Sequence, residues 1–116
     1  MSTRESRFEE LEVYRTAQEF RCIAARIEHA LPARKHDVKH SLATASAGIL
    51  AEIARAWGVG LALERELRAA QAPVSTCHHI LDQLSMINMG GKADVTAGIE
   101  ILERLSELLS AESPKS

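Results

Sequence analysis

The sequence predicts an all-α chain folded as an antiparallel, up-down-up-down four-helix bundle. Three observations carry that expectation. Apolar residues recur at steps of three and four along four stretches, proline or glycine stops separate most of the stretches, and no stretch alternates with the period of two that a half-buried strand requires. The 116 residues leave room for one hydrophobic core, so a single domain is expected over 1–116. Of the 46% apolar residues, only Phe8, Tyr14, Phe20 and Trp57 are aromatic, so that core must be made of Leu, Ile, Val and Ala.

A first helix is expected over 8–31. Val13, Ala17, Phe20, Ala24, Ile27 and Leu31 share one stripe, and Leu31-Pro32 closes the helix because the proline ring disfavours a helical Leu31 and supplies no amide donor. A second is expected over 37–57, with Asp37 as N-cap, Val38, Leu42, Ala45, Ile49, Ile53 and Trp57 on the apolar side, and Gly58-Val59-Gly60 as the stop. The third, over 61–89, aligns Leu63, Leu67, Ala70, Val74, Cys77, Leu81 and Leu84. Pro73 lies within it and predicts a bend near Ala69 to Pro73 rather than two separate helices. Gly90-Gly91 ends it, and Val95, Gly98, Leu102, Leu105 and Leu109 mark a fourth helix over 93–110, with the tail 111–116 frayed. Short links between long helices favour antiparallel neighbours.

Charge and cysteine usage narrow the function classes. Fourteen Lys and Arg against sixteen Asp and Glu give a net charge of −2, which creates no global field to gather nucleic acid or anionic lipid. The first residues lack the apolar run of a signal peptide and no later run is long enough to cross a bilayer, so a cytoplasmic protein without membrane contact is expected. Cys22 and Cys77 follow no paired metal spacing and are read as buried free thiols.

The second helix carries the expectation of self-association. Between Ser41 and Ala54 its only charged residue is Glu52, so it lacks the solvated face that a helix in a monomeric bundle should present. The second cover is expected to be another subunit, meeting Ala47, Leu50, Ala51, Ala54 and Trp57, with the small residues allowing close approach and Leu50 and Trp57 as anchors. Glu52 finds an obvious local partner in Arg55, three residues on.

The opening Phe8-Glu9-Glu10-Leu11-Glu12-Val13-Tyr14, followed by Ala17 and Phe20 and by the Leu31-Pro32 exit, resembles the start of the bacterial four-helix bundle proteins encoded in intervening sequences of large-subunit ribosomal RNA genes. Their second helix carries a Ser-Ile-Pro-x-Asn-Ile-Ala-Glu-Gly signature, where this chain reads Gly48-Ile49-Leu50-Ala51-Glu52-Ile53-Ala54-Arg55-Ala56. Ile49, Ile53 and Ala54 match, while Leu50, Glu52 and Arg55 replace the Pro, Asn and Glu, the mark of a divergent member. The resemblance implies a helical bundle, a ring-shaped pentamer, and kinship with the accessory protein of diversity-generating retroelements, which works with a reverse transcriptase and nucleic acid.

Candidate chemistry is sparse. His36 and His40 lie four apart and could share a metal ion on one helix face, but no third ligand is signalled, and neighbouring His78 and His79 point to different sides of a helix. The acid pairs Glu9-Glu10 and Glu64-Glu66 fall on solvated faces without a base, so no catalytic residue, metal or cofactor is expected. Arg34, Lys35 and Lys39 form the densest basic cluster, which a ring would repeat in every subunit. The expected function is therefore a non-enzymatic, homo-oligomeric scaffold or adaptor. A nucleic-acid accessory protein binding RNA or DNA through that basic patch is the alternative, and a metal-dependent enzyme a distant third.

Overall fold

The structure, a computed structural model, describes the backbone of residues 2–59 and 68–111 and the side chains of residues 12–55 and 68–110. Among the described residues four long helices make the fold: α1 (Ser2–Ala30), α2 (His36–Val59), α3 (Gln71–Met86) and α4 (Lys92–Ala111), with Arg68 and Ala69 also helical ahead of α3. Among the described residues there is no strand. The molecule measures 49 × 21 × 20 Å. A cross-section of that size is two helix diameters in each direction, as a square of four helices requires.

The packing partners fix the topology. α1 meets α2 and α4, and α3 meets α2 and α4, while among the described residues the diagonal pairs keep their backbones apart. Arg26 pairs with Asp94 and Glu12 with Arg104, so α1 and α4 run in opposite directions. His78 faces Glu103 while Leu81 lies at Gly98, so α3 and α4 do the same. Gly48 lies at Pro73 and Val38 beside Leu84 and Ile87, which makes α2 and α3 antiparallel as well. α1 therefore also opposes α2, and the chain runs up, down, up, down.

The apolar stripes become the core. Val13, Ala17, Phe20, Ala24, Ile27 and Leu31 are buried, as are Leu42, Ile49 and Ile53, then Ala70, Val74, Cys77, Leu81 and Leu84, and finally Val95, Leu102, Leu105 and Leu109. Val38 and Ala45 pack at the edge of that core. Leu63, Leu67 and the side chain of Trp57 lie outside the described residues, as do positions 112–116 of the tail. Two hydroxyls are also buried. Thr16 donates to the carbonyl of Glu12 at 2.8 Å and Ser46 to that of Ala43 at 3.2 Å, which satisfies both within their own helix.

Several boundaries differ from expectation: α1 begins at Ser2 rather than at 8, since residues 2–7 hold no helix breaker, and α2 runs on to Val59. Asp37 is not the N-cap of α2, because Ala33–Lys35 form a 3-10 turn after an extended Pro32 (φ −70°, ψ 158°) and lead straight into His36. Asp37 instead sits in the first turn, where its charge still complements the helix dipole. Around Pro73, α3 starts at Gln71 after a turn at Ala70, although Ala70 keeps helical dihedrals (φ −73°, ψ −15°). Arg68 and Ala69 are helical as well, so the single turn residue Ala70 parts them from α3, and Pro73 falls third after it, in the first turn, where an amide donor has no partner within α3. At the other end α3 stops before the glycines. Asn88 adopts a left-handed conformation (φ +57°), Met89 N–H bonds to Leu84 O at 3.0 Å and Asn88 N–H to Ser85 O at 3.2 Å, the paired pattern of a Schellman cap. Asparagine tolerates that conformation, so it does the work expected of Gly90.

Candidate functional surfaces

The outer face of α2 is short of charge. Ala47, Ala51 and Ala54 are exposed together with His40, Ser41 and Thr44. Leu50 is half-buried against this chain's own core, so only part of it faces outward. The remaining position expected at a subunit contact, Trp57, has a side chain outside the described residues. α1 and α4 differ, α1 exposing Arg15, Glu19 and Arg26 and α4 exposing Glu100, Glu103, Arg104 and Glu107, whereas α3 is nearly as poor in charge and exposes Asp82 alone. Glu52 is paired with Arg55 at 2.8 Å, so the one carboxylate of the central stretch is held at the flank of the small-residue face.

Arg34, Lys35 and Lys39 lie at the end of the bundle where α1 passes into α2. None of the three forms an ion pair among the described residues, and neither does Lys92 at the start of α4. Two of the acids at that end are engaged, Asp94 holding Arg26 at 3.1 Å and Glu28 holding Arg21 at 3.3 Å, while Asp37, 3.0 Å from His36, is exposed. The hydrogen bond to Asp94, and then its charge, raise the Arg26 pKa. With Asp94 and Glu28 each paired to an arginine, Arg34, Lys35, Lys39 and Lys92 outnumber the remaining Asp37, a positive surplus that the net charge of the whole chain conceals.

Between α2 and α3 at the same pole runs a groove of about 270 Å³ whose walls include Lys35, Asp37, Val38, Ile80, Leu84 and Ile87. Ile87 of that wall is 48% exposed and Met86, just before it, 80% exposed, the large apolar side chains most open to solvent among the described residues. Sequence reasoning missed both. Their signal was present, since each falls off the Leu81-Leu84 stripe immediately before the helix stop.

A second missed cluster joins α3 to α4. His78 places Nδ1 at 3.2 Å from Asp82 and Nε2 at 3.7 Å from Glu103, on the rim of a groove of about 480 Å³. The His78 to Asp82 spacing is legible as an i,i+4 pair, whereas Glu103 arrives only through tertiary packing. The two carboxylates sit against opposite nitrogens of one ring and do not converge. Among the described residues no three His, Cys, Asp or Glu side chains are placed to hold a metal ion. His36 and His40 are both exposed.

The cysteines divide. Cys77 is buried, and desolvation pushes its pKa from 9.0 up to about 12. Cys22 is exposed, contrary to the expectation of two buried thiols, because it lies on the outer side of α1 from Phe20 and Ile23. Among the described residues no helix is long and apolar enough to cross a membrane.

Fold and surfaces together define an all-helical four-helix bundle with one uncharged face and one basic, apolar-tipped pole. No family model, curated protein or solved structure matches the chain.

Proposed function

We propose that the protein is a non-enzymatic, homo-oligomeric scaffold or adaptor of the cytoplasm, whose copies meet through the outer face of α2. The observation that supports this is the outer face of α2, which presents Ala47, Ala51 and Ala54 to solvent and whose only charge between Ser41 and Ala54, Glu52, is paired with Arg55, while α1 and α4 present several charged side chains. A face without charge costs little to desolvate, and alanines let two helices approach closely. The resemblance to the intervening-sequence proteins extends this to a ring of five copies. Ala47→Glu on that face is the decisive variant, because the position is exposed and the fold has no stake in it. Light scattering should give the mass of several chains for the native protein and a lower mass for Ala47→Glu. A native protein with the mass of one chain at every concentration would sink the proposal.

Arg34, Lys35 and Lys39, which form no ion pair among the described residues, favour a second role, that of an accessory protein holding RNA or DNA. Phosphate contacts of that kind weaken steeply with salt and disappear when Arg34 and Lys35 are replaced. Salt-independent binding, or none, would exclude it.

A further inference from the structure

We propose that the pole formed by the two described connections docks on an anionic lipid surface, with Met86 and Ile87 entering the interface and Arg34, Lys35, Lys39 and Lys92 meeting the headgroups. The geometry brings these groups to one end. Asp37 and Lys35 line the same groove as Leu84 and Ile87, and the loop residue Gly90 lies against Ile27 and Leu84, so residues 31–36 and 86–92 share a pole. There Met86 (80% exposed) and Ile87 (48% exposed) end α3, Lys35 lines one groove with Ile87, and Arg34, Lys39 and Lys92 stand in or beside the same two connections, all four cations without an ion pair among the described residues. Apolar side chains that enter the headgroup boundary, combined with cations facing a negative surface, are the two contributions that hold a peripheral protein on a bilayer. Neither requires a spanning helix.

Charge distribution favours lipid over other polyanions. An acidic peptide seated in the groove would meet Asp37 as well as Lys35 in its walls, so the groove itself offers no net attraction. The surplus lies in the two connections at the same end as Met86 and Ile87, so a lipid surface facing that end would meet both the cations and the apolar side chains. RNA or DNA would use the cations but gain nothing from Met86 and Ile87, and no Phe, Tyr or Trp side chain for base stacking is exposed among the described residues of this pole.

Sedimentation of the full chain with vesicles decides the matter. The native protein should pellet with phosphatidylcholine vesicles containing roughly one-third phosphatidylserine, remain in solution with pure phosphatidylcholine, and release as salt rises. Met86→Glu should weaken binding by about tenfold or more, since it replaces an inserting side chain by an anion, and Arg34→Glu with Lys92→Glu should abolish it. These positions are exposed, and unchanged thermal unfolding of each variant verifies that the bundle persists. No pelleting with phosphatidylserine overturns the proposal. So does Met86→Glu binding as tightly as the native chain, which with salt-sensitive capture of a single-stranded RNA oligonucleotide would assign the pole to nucleic acid. A change of assembly mass in Met86→Glu without vesicle binding by the native chain would assign it to contacts between copies.

Discussion

Gly98 shows how little room a single position can have. A Cβ there would stand 2.7 Å from Leu81 Cδ1 and 3.4 Å from Phe20 Cε1, where α4 passes between α3 and α1. Gly98→Ala gains roughly 1 kcal/mol of helix propensity but forces core side chains aside at about 1–3 kcal/mol, so a net loss of stability is expected in chemical denaturation. Cys77 makes a second residue-scale case. Its thiol binds a proton more tightly in the folded state, with a pKa of about 12 against 9.0 unfolded, so its contribution is complete below pH 9 and is lost as pH rises toward 12. The loss is on the order of a few kcal/mol at the top of that window. Cys77→Ala should flatten the alkaline decline of stability relative to the native chain. An identical slope in both would show that burial of the thiol is not what sets it.

At the scale of elements, Pro73 has an unexpectedly mild setting. In mid-helix a proline costs about 3 kcal/mol, whereas as the third residue of α3 it removes no hydrogen bond, so Pro73→Ala should shift stability by less than about 1 kcal/mol. A gain near 3 kcal/mol would mean that the ladder is in fact interrupted. The cap at the far end of α3 points the other way. Asn88→Val puts a β-branched residue at φ +57° and should cost roughly 1–2 kcal/mol. These two ends also explain what the sequence could and could not reveal. Spacing of three and four identified the buried positions of α1, α3 and α4, because burial in a bundle follows directly from helical phase. The exact stops were harder, since Asn88 and Gly90 both suit a left-handed cap and only the hydrogen bonds of Met89 and Asn88 decide between them. Cys22 was misplaced for a related reason: it neighbours the buried Phe20 and Ile23 in sequence, yet one step of helical phase turns it to solvent.

For the whole molecule, tertiary pairing creates the features that no local pattern contains. Arg26 with Asp94 and Glu12 with Arg104 clamp α1 to α4 at two levels, and neither pair is readable from spacing. The small-residue face of α2 was legible, because charge is simply missing from Ser41 to Ala54 apart from Glu52. The basic pole was legible only in part. Arg34, Lys35 and Lys39 stand together in the chain, but Lys92, Met86 and Ile87 join them through the antiparallel wiring. That wiring has a practical corollary. Ser2 of α1 and Ala111 of α4 lie toward the pole opposite Met86, on a body 49 Å long. A dye placed at either of those helix ends would leave the tip unobstructed, and on a bilayer that holds the tip it would ride several nanometres above the lipid, a height that energy transfer to a membrane probe can gauge.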